Sequence, residues 1–287
     1  MSEQVIDQVE GHTGGSAAEP ASPVKVQRDG GIGWGLRTAV ALTALLLIAP
    51  TVVVIPMSFS GASTFEFPPK SWSLRWYKSF FGSEKWMYAL LTSVQIGLLV
   101  AVTATVLGVA VALGLTRSRF RGRGAVRQLM MAPMIMPGIV VAIAIYGVFI
   151  RWQLNGTAIG FVLAHTVLAL PFVVTAVSTS LAGYDRTQDI AAATLGATAW
   201  TTFFRITVPQ VAPGVLSGFA FAFVTSLDEV VVALFLQTPD IQTLPVQMYN
   251  SITLEIDPTI AAASSVMVVA TTLVLLIPQF VRRERRT

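Results

Sequence analysis

Asp228 and Glu229 stand side by side in a stretch, Ala212 to Leu236, that is otherwise uncharged. An Asp at mid-membrane costs about 2.5–3.5 kcal/mol, while the Leu, Ile, Val and Phe of this stretch contribute roughly 4–8 kcal/mol to insertion. Two ionised acids facing lipid would nearly cancel that gain. The pair therefore either lines a water-filled path, together with Ser226, or sits at the outer end of the span. In the second placement Val230 to Leu236 form a short extracellular or re-entrant helix that the acids cap locally. On a path, two carboxylates suit a cation, held by Coulomb attraction that strengthens outside bulk water. An anion would require Arg or Lys there instead.

His165 also falls within an apolar stretch. With no metal-ligand set and no second histidine in the spans, it is expected to pack or hydrogen-bond rather than relay protons. Tyr184-Asp185 has no matching Gly-x-Gly-Asp elsewhere, so an intramembrane aspartyl protease lacks its second half, and Asp185 reads as a helix cap. The chain has no cysteine, which removes thiolate chemistry and disulfides. No catalytic residue and no metal site are expected.

The elements that position these groups follow from composition. Of 287 residues, 54% are hydrophobic and only 12% charged, with a mean hydropathy of +0.69. That places the chain outside the mix of soluble domains. Charge-poor runs of membrane-crossing length lie at Thr38 to Met57, Trp86 to Thr116, Gln128 to Ile150, within Trp152 to Tyr184, Ile206 to Leu227 continuing towards Leu236, and Pro258 to Val281. The fold class is all-α, a polytopic membrane protein with six transmembrane helices. The first run is longer than a signal-peptide core and lacks a small-residue cleavage site, so it is expected to stay as an anchor. Ala104, Gly108 and Ala112, and again Gly214 and Gly218, recur at four-residue spacing and predict close helix packing, within the chain or against a second subunit.

With the N-terminal tail inside, fourteen of the 19 basic residues are cytoplasmic, leaving Lys70, Arg75, Lys78, Lys85 and Arg151 outside. Both termini are thus expected in the cytoplasm. That distribution accounts for the net charge of +4 as topology, and nucleic acid is not an expected partner. The expected organisation is a disordered tail over 1–34, a first transmembrane helix over 35–59, an external loop over 60–86, a five-helix core over 87–281 and a basic tail over 282–287. The aromatic residues of the external loop, Trp72, Trp76, Tyr77, Phe80 and Phe81, with Trp86, suit an interfacial belt.

Between the fourth and fifth spans, residues 185–209 read DRTQDIAAATLGATAWTTFFRITVP, too apolar for a simple connector. Ala191 to Ala193 favour helix, Gly196 can turn it, and a second short helix would carry Trp200, Phe203 and Phe204. This segment resembles the cytoplasmic coupling loop of binding-protein-dependent ABC importer permeases, whose pattern is Glu-Ala-Ala, three residues, Gly, nine residues, Ile, one residue, Leu-Pro. Ala191, Ala192, Gly196, Ile206, Val208 and Pro209 keep that spacing. Ile190 stands where the family has Glu and Val208 where it has Leu, and Asp189 is a candidate for the missing carboxylate.

The resemblance implies a type I ABC permease fold in a bacterial inner membrane. It implies a coupling surface of Asp189, Ala191, Ala192, Gly196, Phe203, Ile206 and Pro209, with the small residues allowing close approach and Phe203 and Ile206 anchoring the second helix. It also implies an ATP-binding ABC subunit that carries ATP and Mg, a second permease subunit and an external substrate-binding protein. No cofactor is expected on this chain, because the glycines at Gly30, Gly31, Gly33 and Gly35 lead into Leu36-Arg37 and form no P-loop. Ser226 to Leu236, Thr243 to Ile252 and Glu255 to Ser264 look like the spermidine/putrescine branch, which implies a polyamine cargo. A secondary carrier, the rival class, would more usually carry intramembrane charge in both halves, and the first three spans have none.

Overall fold

The computed structural model describes residues 34–118, 120–255 and 257–284. The tail expected over 1–34 lies outside them except for Trp34, and of the basic C-terminal tail only 282–284 lie within them. The chain divides into two units, 1–49 and 50–287. The first contributes the opening turns of α1 (Trp34–Ser58), an apolar helix whose Leu45, Leu46 and Leu47 are exposed.

In the second unit a short amphipathic helix, α2 (Arg75–Gly82), precedes α3 (Glu84–Arg117). Then come α4 (Arg123–Ile135), α5 (Gly138–Trp152), α6 (Ala158–Ala182), α7 (Thr187–Thr194) and α8 (Ala199–Thr202). A π-turn, Phe203–Thr207, joins α8 to α9 (Val208–Leu227). The chain ends with α10 (Val231–Leu236), α11 (Leu244–Asn250) and α12 (Thr259–Glu284). Two isolated bridges, Ser60 with Trp72 and Thr238 with Ile241, are the extent of β-pairing among the described residues.

Among the described residues, five helices are long and apolar enough to cross a membrane, and α4 with α5 makes a sixth span if the two are taken together. The span expected over Gln128 to Ile150 is broken by a bend of 107° between them. Pro137 causes the break: it has no N–H to donate, and it drives Met136 into extended backbone at ψ 143°.

The core is built on α3, α6 and α9. A stripe of α3 that includes Ser93, Gly97, Val100, Ala104, Gly108 and Ala112 is buried. A Cβ at Gly108 would sit 2.5 Å from Val173 Cγ1 on α6, and one at Gly218 would sit 3.2 Å from the same atom. The four-residue stripes of α3 and α9 therefore both close on α6, within this chain. The opposite face of α3, with Leu98, Leu99, Val102, Val106 and Leu107, is exposed, as a lipid-facing surface requires.

The aromatic loop departs from the belt reading. Trp76 and Phe80 on α2 turn inward and pack with Trp86, Phe80 and Trp86 having ring centroids 5.7 Å apart, and Tyr77 shares a 2.8 Å hydrogen bond with Ser58. Trp72 and Phe81 remain exposed. An amphipathic helix with two aromatics on one face buries that face when a core is within reach.

Candidate functional site

The segment after α6 is a compact, hydrogen-bonded projection. Asp185 starts it by accepting the Thr187 N–H at 2.9 Å and the Thr187 hydroxyl at 2.7 Å. These bonds, made to the ionised carboxylate, hold its pKa below the ordinary value. About two turns later α7 stops in a Schellman arrangement: the Ala197 N–H reaches the Ala192 carbonyl at 3.0 Å, and the Gly196 N–H reaches that of Ala193 at 3.0 Å. Gly196 adopts φ 82°, a conformation that L side chains rarely take, yet a Cβ there would meet nothing. Within this chain the glycine is thus required by backbone conformation and not by close approach to a neighbour.

Thr198 then caps α8, its hydroxyl accepting the Thr201 N–H at 3.2 Å. The second helix is not a separate short element. It passes through the π-turn into α9 and forms one helix of 29 residues, Ala199–Leu227.

Of the residues expected to couple, Ala192 is buried, Phe203 and Ile206 are half-buried, and Ala191 and Gly196 are exposed. Pro209 lies in the first turn of α9. The inward anchors of the second helix are Thr202 and Thr207, both buried. The outward face carries polar residues such as Gln188, Thr201 and Arg205 and four large apolar ones: Ile190 is 65% exposed, Leu195 88%, Trp200 70% and Phe204 58%, and the last two rings stack at 5.9 Å.

Asp189 does not join that outward surface. It accepts a short hydrogen bond from the Tyr184 hydroxyl and pairs with Arg117 Nη2 at 3.6 Å. Arg117, the last residue of α3, also donates to Thr207 Oγ1 at 2.8 Å. Desolvation first, and the bond to Asp189 second, raise the Tyr184 pKa, so the phenol stays a donor. Arg117, Tyr184 and Thr207 were not legible as a group. The one sequence signal for them is a basic residue closing a span, with an acid in the next loop at the same end.

At the far end of α9 the acidic pair separates. Helix α9 ends at Leu227, and α10 starts at Val231 after three intervening residues. Glu229 Oε1 accepts the Val232 N–H at 2.8 Å, so this acid caps the first turn of α10, where negative charge is favourable. Asp228 is exposed. Ser226 is buried and bonded to His165 Nδ1 on α6 at 2.8 Å. The three residues thus have three different surroundings: an inter-helix bond, an open carboxylate and a helix cap. Among the described residues no group of three or more His, Cys, Asp or Glu is placed to hold a metal.

Residues 104–286 match the family described as binding-protein-dependent transport system inner membrane component. The spermidine/putrescine transport system permease protein PotC of Haemophilus influenzae is 30% identical over 241 residues, 83% of this chain and 92% of that protein. The putrescine transport system permease protein PotI of Escherichia coli strain K12 is 30% identical over 228 residues, 77% of this chain and 81% of that one. A crystal structure of a bacterial alginate ABC transporter, in complex with an alginate pentasaccharide-bound periplasmic protein, superposes with a TM-score of 0.67 at 15% identity. It covers 87% of this chain and 94% of its own, a likeness of fold alone.

Proposed function

Because the chain belongs to the family of binding-protein-dependent transport system inner membrane components, we propose that it carries a polyamine, spermidine or putrescine, into the cell. It is a permease subunit of an ABC importer in the bacterial inner membrane, and not an enzyme. In this reading both termini are cytoplasmic, an external binding protein delivers the cargo, and a second permease completes the path. A separate subunit binds and hydrolyses ATP with Mg.

The observation that carries the reading is the 185–209 projection. Four large apolar side chains, Ile190, Leu195, Trp200 and Phe204, stand exposed on a glycine-turned element. Such a surface on a loop is explained by a partner that covers it. The projection is also the root of a lever, since the 29-residue helix from Ala199 extends about 43 Å at 1.5 Å per residue. Its other end carries Ser226 and Asp228. Tilting the projection therefore displaces the acidic end of α9 without any break between, which is how hydrolysis at one face opens and closes a path at the other.

The cargo assignment rests on the Pot relatives and on Asp228, an exposed carboxylate with no basic neighbour within two residues on either side. Reconstitution with the three partner proteins tests it. Labelled putrescine should accumulate with ATP, and unlabelled spermidine should compete. Competition by an oxyanion but not by spermidine would remove the polyamine assignment while leaving the importer class intact.

A further inference from the structure

The coupling projection is short, and α7 packs chiefly on the 199–207 segment that follows it. Gln210 of α9 donates to Gln188 of α7, and the other polar ties to the rest of the molecule gather at the end of α3. Arg117 Nη2 contacts Asp189 of α7 at 3.6 Å and Thr207 of the π-turn at 2.8 Å, with its guanidinium carbon 6.0 Å from the centre of the Tyr184 ring. Tyr184 Oη bonds to Asp189 and lies 3.3 Å from Thr207 Oγ1. Beside them Arg186 Nη2 donates to the Thr116 carbonyl at 2.8 Å, again at the end of α3.

The π-turn makes this meeting possible. In an α-helix, residues five apart point about 140° away from each other, yet Thr202 and Thr207 are both buried. The Val208 N–H reaches back to the Phe203 carbonyl, five residues away, and this wider turn rotates the register. Thr207 is thereby turned towards Arg117 while Trp200 and Phe204 stay outside.

We propose that Arg117 is a positioning residue for coupling: by bridging Asp189 and Thr207 it locks the projection, the end of α3 and the root of α9 into one moving body. Movement of the projection then reaches α3 as well as α9, and the path changes shape instead of one helix bending alone. Arg117 and Asp189 are both partly solvent-exposed, so their pairing contributes little to stability, and its role lies in geometry. This inference rests on the projection being the docking element.

The assembled importer in liposomes, with its ATPase, second permease and binding protein, gives two readouts, ATP hydrolysis and cargo uptake. Arg117→Gln is expected to keep subunit association and to hydrolyse ATP within about twofold of wild type, while uptake per ATP falls by about tenfold, in the usual range of a site-to-site coupling. Arg117→Lys, which keeps the charge but not the forked geometry, should recover part of that ratio. Arg117→Asp combined with Asp189→Arg should exceed either single variant.

An unchanged ratio in Arg117→Gln overturns the inference. Loss of association in both Arg117→Gln and Arg117→Lys does so too, since that behaviour belongs to a packing residue. Failure of the docking assignment looks different: Gly196→Val would then hydrolyse and transport normally.

Discussion

His165 Nδ1 lies 2.8 Å from the hydroxyl of Ser226, and the pair is buried between α6 and α9, with Phe161 edge-on to the imidazole at 5.8 Å. The bond fixes the last turn of α9 two residues before Asp228. Removing either partner leaves a buried polar group unpaired, a loss of about 1–3 kcal/mol. A double-mutant cycle of His165→Ala and Ser226→Ala, followed by unfolding in detergent, should give a coupling of about 0.6–1.7 kcal/mol, as for other hydrogen bonds between membrane helices. Additive effects would mean that the two side chains do not support each other.

Gly196 tests the coupling projection through backbone geometry. Its φ of 82° is costly for any L residue, by about 1–2 kcal/mol, and more for a β-branched one, whereas Asn tolerates it best. With open space around the Cβ position, side-chain size alone is not the obstacle. Gly196→Val should insert normally and lose ATP-dependent uptake, and Gly196→Asn should retain most of it. Normal uptake by the valine variant would remove the coupling assignment.

The α3–α6 interface makes an opposite prediction, in which size is decisive. A Cβ at Gly108 would come within 2.5 Å of Val173 Cγ1, an overpacking that costs about 1–3 kcal/mol. Gly108→Ala should lower the melting temperature of the purified protein, and Val173→Ala in the same chain should restore much of the loss. Failure of the second change to compensate would place the constraint elsewhere.

For the acids at the end of α9, charge and capping can be separated. Glu229→Gln retains an oxygen to accept the Val232 N–H, so α10 should stay intact. Asp228→Asn removes the charge at an exposed position. If the pair attracts cargo, Asp228→Asn should raise the KM for polyamine by about tenfold with assembly unchanged, equivalent to roughly 1.4 kcal/mol. Unaltered transport would reduce Asp228 to a residue at a helix end.

Of the two alternatives that the sequence left open for Asp228 and Glu229, the structure shows local capping at Glu229. Glu229 caps α10 locally, and Asp228 remains the exposed carboxylate on which the pathway assignment depends. Neither outcome was readable from two adjacent letters, because the position of the break after Leu227 decides which acid precedes a new helix. Asp189 was legible as an acid near the missing Glu of the coupling motif. Its inward turn to Arg117 and Tyr184 was not, because those partners arrive from other helices.

Composition and the apolar runs were enough to read an all-α membrane protein, and the spacing of Ala191, Ala192, Gly196, Ile206 and Pro209 carried the resemblance to ABC permeases, since hydrophobic length and short-range spacing are properties of neighbouring residues. The shared closure of Gly108 and Gly218 on Val173, the pairing of His165 with Ser226 and the Arg117 junction were decided by tertiary structure. Each depends on which faces of distant helices meet, and that is settled by packing the whole chain, where a π-turn of one extra residue is enough to turn Thr207 inward.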